Sequence, residues 1–192
     1  MICFFIGKRN KKIEYSFKKL GFDKVYFVKE VSKLKEIRKE DKSTYNAFLI
    51  KTKGIEMLRR MVDKASNYIS FILVLGINDE INRITLEHKK VRALVSPEYK
   101  REKDFLHYRN SGLNQVLCKI ARDNDKIIIE NFSDFILESK DITKALILGR
   151  MIQNARLCKK YKTRLIIGNF VRNNSEFRSK YDLETFKRIL FV

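Results

Sequence analysis

The segment Tyr108–Asn131, YRNSGLNQVLCKIARDNDKIIIEN, decides how the rest of the chain is read. It opens with a basic, glycine-marked loop. Leu113, Val116, Leu117, Ile120 and Ala121 then follow at the i, i+3, i+4 spacing of one helix face. A continuous apolar run, Ile127–Ile129, closes the unit. An uninterrupted apolar strand covered by an amphipathic helix is the mark of a parallel sheet buried on both faces.

The same rhythm extends in both directions. Strands are predicted over Ile2–Ile6, Lys24–Val28, Ala47–Lys51, Ser70–Leu75, Val91–Val95, Lys126–Glu130 and Arg164–Ile167. Helices are predicted over Ile13–Leu20, Val31–Glu40, Ile55–Ser66, Asp79–His88, Leu113–Asn124, Asp141–Tyr161 and Leu183–Leu190. Seven such units in 192 residues predict a single α/β domain over residues 1–192. Its form is a TIM-like (β/α) barrel of about seven parallel strands, smaller than the usual eightfold one. An open doubly wound sheet is the alternative. The charged stretch Glu98–His107 reads as an exposed loop or a short extra helix.

Composition narrows the function. Forty-two Lys and Arg against 23 Asp and Glu leave a net charge of +19. Such an excess makes the compact state repel itself, and a polyanion such as nucleic acid relieves the repulsion. Cys3, Cys118 and Cys158 are odd in number and without metal-ligand spacing, which reads as buried, reduced thiols in a cytoplasmic protein. The longest apolar stretch, Ile69–Ile77, is far below the roughly 20 residues a membrane span needs.

Catalytic residues of a (β/α) barrel gather at the C-terminal ends of its strands. Those ends carry Lys8 and Arg9, Glu30, Thr52, Asn78, Ser96, Glu130 and Asn169. A hydrolytic metal site needs several His, Asp or Glu there. The chain has only His88 and His107, and Glu30 and Glu130 read as isolated carboxylates. The residues therefore suggest no catalytic group and no metal site. A free-standing metal-dependent phosphoesterase is the rival reading, and it would rest on Glu130.

The basic residues cluster instead. Lys8 and Arg9 follow the first strand, Arg101 and Arg109 border the fifth loop, and Arg150 to Lys180 holds nine Lys or Arg against one acid, Glu176. On this reading the first, fifth and seventh loops open on one barrel end, where Tyr99, Tyr108 and Phe170 could stack on unpaired bases.

Four stretches, in order, resemble a known family. They are ALVSP (Ala93–Pro97), YRNSGLNQVLCKIA (Tyr108–Ala121), KALILGRMIQNARLCKKYKTRLIIGN (Lys144–Asn169) and SEFRSKYDLETF (Ser175–Phe186). Together they resemble protein component 3 of archaeal ribonuclease P, related to a eukaryotic subunit of the same enzyme. Asn114 and Gln115 stand where that family usually has Asp-His, and Phe177 stands at or near its Trp. The resemblance implies a barrel of the type found in polymerase-and-histidinol-phosphatase (PHP) phosphoesterases, without their metal ligands. It also implies an accessory subunit in the removal of 5′ leaders from precursor tRNA, where an RNA subunit binds Mg²⁺ and carries the catalysis. The partners it implies are the ribonuclease P RNA, precursor tRNA, and component 2 in a heterodimer or heterotetramer, besides other ribonuclease P proteins. Arg109, Lys160, Arg178 and Lys180 lie within the matched stretches and are candidate RNA contacts. Lys8, Arg9, Arg101, Arg150 and Arg172 join them on charge and position.

Overall fold

A computed structural model describes residues 2–191. The strands are β1 (Ile2–Ile6), β2 (Lys24–Val31), β3 (Ala47–Ile50), β4 (Ile72–Leu75), β5 (Ala93–Val95), β6 (Ile127–Asn131), β7 (Arg164–Gly168) and β8 (Phe170–Val171). The helices are α1 (Lys11–Lys19), α2 (Asp41–Thr44), α3 (Ile55–Ser66), α4 (Asp79–Glu87), α5 (Gln115–Asp123), α6 (Phe132–Ile136), α7 (Asp141–Tyr161) and α8 (Lys180–Leu190).

All strand pairs are parallel, and the order runs β7-β6-β5-β4-β3-β2-β1-β8. Only Asn169 separates β7 from β8, so one stretch of chain pairs with β6 through its first half and with β1 through its second. That shared strand closes the barrel. The seam is held by the Phe4 N–H, which donates to the Asn169 carbonyl (3.2 Å), and by the Phe4 and Phe170 rings stacked at 4.4 Å. The predicted seven-stranded parallel barrel is observed, and the open sheet is not.

Alternation sorts each strand's side chains. Phe4, Val28, Ala47, Leu49, Leu73, Ala93, Val95, Ile127, Ile129 and Phe170 fill the barrel. Their neighbours, such as Phe48, Leu94 and Ile128, meet the surrounding helices. Each fully buried Leu, Ile or Phe contributes roughly 1.5–3 kcal/mol.

Two stretches depart from expectation, residues 31–44, where the four-residue α2 is the only α-helix described, and the segment after β6. No helix spans Val31–Glu40. β2 runs on to Val31, a 3₁₀ turn covers Leu34–Glu36, and the Glu36 carboxylate accepts from the Ser32 and Lys33 N–H groups (2.7 and 3.1 Å). Lys29 Nζ then ties this crossover down, donating to the Glu36 carbonyl (2.6 Å) and to buried Asp41 (2.8 Å). The second departure is α6, a helix directly after β6 that is too short to show a periodic face. Among the described residues, no helix is long and apolar enough to cross a membrane.

Candidate functional site

The strand ends open on a cavity of about 1080 Å³. By alternation, Glu30, Lys51, Asn131 and Arg172 form the layer of side chains at its base. Lys51 Nζ (2.6 Å) and an Arg172 Nη2 (2.9 Å) both donate to the same oxygen of Glu30. Asp134, from α6, accepts from Ser96 Oγ (2.8 Å), with Asn131 its other side-chain partner. Burial raises the Asp134 carboxyl, and those two hydrogen bonds lower it. Glu30 and Asp134 are thus already engaged by the chain's own donors. Among the described residues no three His, Cys, Asp or Glu stand together as a metal would need. His88 caps the far end of α4, and His107 is exposed in the fifth loop.

Glu130 is not at this mouth. It shares its strand face with Ile128 and points outward to α7, where Asn154 Nδ2 donates to it (2.9 Å). Nor is it isolated, because its side chain meets that of Glu98, and both are wholly buried. Glu98, expected on an exposed loop, is the inner anchor of that loop. Burial pushes the Glu130 carboxyl up to about 7. Burial and then the neighbouring Glu130 push Glu98 well above its ordinary range. Neither Glu98 oxygen has a hydrogen-bond donor among the other residues described. Two carboxyl groups in contact without a cation are stable only when they keep a proton between them.

The other anchors of the loop come from α7. Asn154 Nδ2 also donates to the Ser111 carbonyl (3.0 Å), and Gln153 bonds the Arg109 backbone on both sides (3.0 and 2.9 Å). Arg150 donates to Asp104 (2.8 Å) and to the carbonyls of Arg101 and Glu102. At the loop's end Gly112 takes φ +76°, packed against the Pro97 carbonyl. Asn114 then caps α5, its Oδ1 accepting from Leu117 N–H (2.9 Å). Asp would do the same, so the exchange from the family's Asp preserves this contact.

The predicted cationic residues do not share one surface. Lys8 and Arg9 are exposed at the strand-end side, and Arg9 pairs with Glu14 (3.0 Å). Arg172 lies at the mouth. Arg109 is half-exposed against α7, where it pairs with Asp104 (3.2 Å). Arg101 holds Asp79 (2.6 Å) and the Pro97 carbonyl, its side chain only 7% exposed. Arg150 is 4% exposed, and its guanidinium is consumed by the loop, so it presents no charge outward. Arg178 gives Nη1 to the Ser175 and Phe177 carbonyls. Lys160, at the end of α7, and Lys180, against the Leu20–Gly21 turn, lie at the opposite end of the barrel. Of the three aromatic residues, Phe170 is core, Tyr99 is partly buried, and Tyr108 is 61% exposed, packed on Phe105 at 4.6 Å.

A broader basic face lies where the end of α7 packs beside the first half of α5. Tyr161 OH donates to Gln115 (3.2 Å), and the Lys119 and Lys160 ammonium groups flank the Tyr161 ring at 5.8 and 5.6 Å. Arg156, Lys159 and Lys162 are exposed nearby. None of these five basic residues makes an ion pair among the described residues, whereas Arg109, Arg150 and Arg172 all do. The sequence signal for this face was available in the run Lys159-Lys160-Tyr161-Lys162.

No family model matches the chain. Curated proteins do. A Methanococcus maripaludis protein named Ribonuclease P protein component 3 is 29% identical over 142 residues, which is 74% of this chain and 58% of that protein. The Methanocaldococcus jannaschii protein of the same name is 29% identical over 174 residues, 91% of this chain and 68% of that protein. The chain thus spans roughly three-fifths to two-thirds of these relatives. Among solved structures, a chain of a cryo-EM structure of archaeal ribonuclease P with mature tRNA superposes on the whole of this one. The TM-score is 0.77 at 24% identity, and the match covers 83% of that chain. A crystal structure of an uncharacterized protein gives a TM-score of 0.56 at 7% identity over 84% of this chain and 44% of its own. The resemblance read from the four stretches is borne out.

Proposed function

We propose that this chain is a protein subunit of a ribonuclease P of the archaeal type, supporting the catalytic RNA that removes 5′ leaders from precursor tRNA. The observation that carries the reading is the similarity to component 3 proteins, which extends over most of the chain. The electrostatics agree with it. Thirteen Lys or Arg side chains are held in ion pairs among the described residues, and most of the 42 are left to meet an outside anion.

The protein's share of the work is charge neutralisation. Fixed cations placed against crowded phosphates displace condensed counterions and let RNA helices approach one another. The RNA with its Mg²⁺ supplies the reacting metal and the cleavage. Contacts are to backbone and shape, through cations and exposed rings such as Phe105 and Tyr108. Component 2 is the expected protein partner, as a heterodimer or heterotetramer, with other ribonuclease P proteins around them in the cytoplasm.

Reconstitution tests this reading. Precursor tRNA cleavage by the RNA with component 2 is measured across Mg²⁺ concentrations, with and without this chain. The proposal expects the chain to lower the Mg²⁺ needed for half-maximal cleavage. An unchanged requirement contradicts it.

A further inference from the structure

Beneath the α5–α7 face lies a pair of thiols for which RNA support has no use. Cys118 of α5 and Cys158 of α7 are 0% and 1% exposed, and their side chains meet. One residue places both backbones. Thr163 donates its hydroxyl to the Cys118 carbonyl (2.8 Å) and its N–H to the Cys158 carbonyl (2.9 Å). Ala121, one turn on from Cys118, and Ala155, one turn before Cys158, are wholly buried, so small side chains let the two helices approach closely. Cys3, the remaining cysteine, lies on β1 and gives its thiol to the Asn169 carbonyl (3.5 Å).

The two thiols are not equivalent. The hydrogen bond from the Cys158 thiol lowers the Cys118 pKa, burial opposes it, and Thr163 lowers it further. The Cys158 thiol is pushed up, first by that same bond and then by burial. Cys118 is therefore the readier thiolate, with a protonated thiol beside it. A low-pKa cysteine next to a resolving cysteine is the arrangement that a peroxide converts to a disulfide. Both thiols are sealed from solvent, which selects an oxidant about the size of water.

We propose that Cys118 and Cys158 form a reversible disulfide when a small peroxide reaches them, stapling α5 to α7. The Cys118 thiolate attacks one peroxide oxygen and the O–O bond breaks. A sulfenic acid remains, and the released hydroxide takes the proton that Cys118 gave up, leaving as water. The Cys158 sulfur then attacks the sulfenic sulfur. The S–S bond forms, the S–O bond breaks, and the departing hydroxide takes the Cys158 proton as a second water. The two thiols lose two electrons and the peroxide gains two. The staple closes the chain from α5 through β6 and α6 to α7, which limits the unfolded state. It ties together the two helices that carry Lys119, Lys159 and Lys160, and it does not depend on the ribonuclease P reading.

Disulfide mapping of the full chain tests it. The folded protein is treated with hydrogen peroxide, alkylated in denaturant and digested without reductant. Mass spectrometry is expected to find Cys118 joined to Cys158 and Cys3 alkylated, with the joined peptides separated again by dithiothreitol. The oxidised chain is expected to melt about 10 °C above the reduced one, the effect of closing a loop of this length in a domain of this size. Cys158→Ala should lose that rise under the same treatment. Should this variant fail to fold, the mapping and the two melting curves of the wild-type chain still decide. Both thiols alkylated after peroxide, oxidation of Cys118 to a sulfinic or sulfonic acid without a link, or a link to Cys3 overturns the proposal. So does a Cys118–Cys158 link that leaves the melting temperature unchanged. No RNA is present, so a negative result leaves the ribonuclease P reading standing.

Discussion

Glu98 and Glu130 meet side chain to side chain in the interior, one at the start of the fifth loop and one on the helix-facing side of β6. Asp134 of α6 adds a like charge, and Asn154 of α7 supplies the one side-chain amide donor. A group whose folded pKa is raised binds its proton more tightly in the native state than in the unfolded one. Its stabilisation is complete below the unfolded value, here 4.5, and is lost as pH climbs through the folded value, about 7 for Glu130. The wild-type chain should therefore lose on the order of 3 kcal/mol between pH 5 and pH 8. Glu130→Gln, a permanently neutral stand-in, should flatten that slope and be the more stable protein at pH 8. Urea denaturation at a series of pH values reads both, and parallel curves for the two proteins contradict the shared proton.

Arg150 should behave as a structural residue. Replacing it by Met takes one of three donors from Asp104, which keeps Arg109 and the Asn110 N–H, and strands the carbonyls of Arg101 and Glu102, at a cost of about 2–4 kcal/mol. Hydrogen exchange should show faster opening of residues 99–111 in Arg150→Met. The salt dependence of RNA binding should stay as in the wild type.

At the start of α5, Asn114→Ala should cost about 1 kcal/mol, whereas Asn114→Asp should be neutral or stabilising because a carboxylate also complements the helix dipole. Thermal or chemical denaturation distinguishes them. Equal losses in the two variants would show that the amide serves some role other than the cap.

The α5–α7 face should bind phosphates. Lys119→Gln, Lys160→Gln and Lys162→Gln combined should flatten the slope of log K against log salt for RNA, by about 0.7–0.9 for each phosphate no longer neutralised. Arg109→Ala with Arg178→Ala tests the residues picked from the family stretches in the same assay. Arg178 has part of its guanidinium on backbone carbonyls, so the smaller slope change is expected there.

The barrel was legible because parallel strands buried on both faces leave uninterrupted apolar runs such as Ile127–Ile129. Ile55–Ser66 is observed as predicted, its limits carried by a periodic apolar face, and so is Asp141–Tyr161, although its buried side includes the polar Arg150 and Asn154. Val31–Glu40 has helical spacing too, but capping by Glu36 and the pull of Lys29 on Asp41 favour a turn, and neither interaction shows in periodicity. Glu98 was hidden by its charged neighbours, since nothing local distinguishes a buried glutamate from a solvated one. The cationic residues were misplaced for a topological reason. In a βα unit the loop after the strand and the end of the helix lie at opposite ends of the barrel, so Lys160 could not share a surface with Lys8.

The most direct measurement is recovery of the tagged chain from its native cell, followed by sequencing and assay of the RNA that accompanies it. A structured RNA that removes 5′ leaders from precursor tRNA in Mg²⁺ is the expected companion. Recovery of the chain without RNA, or with ribosomal RNA alone, would contradict it.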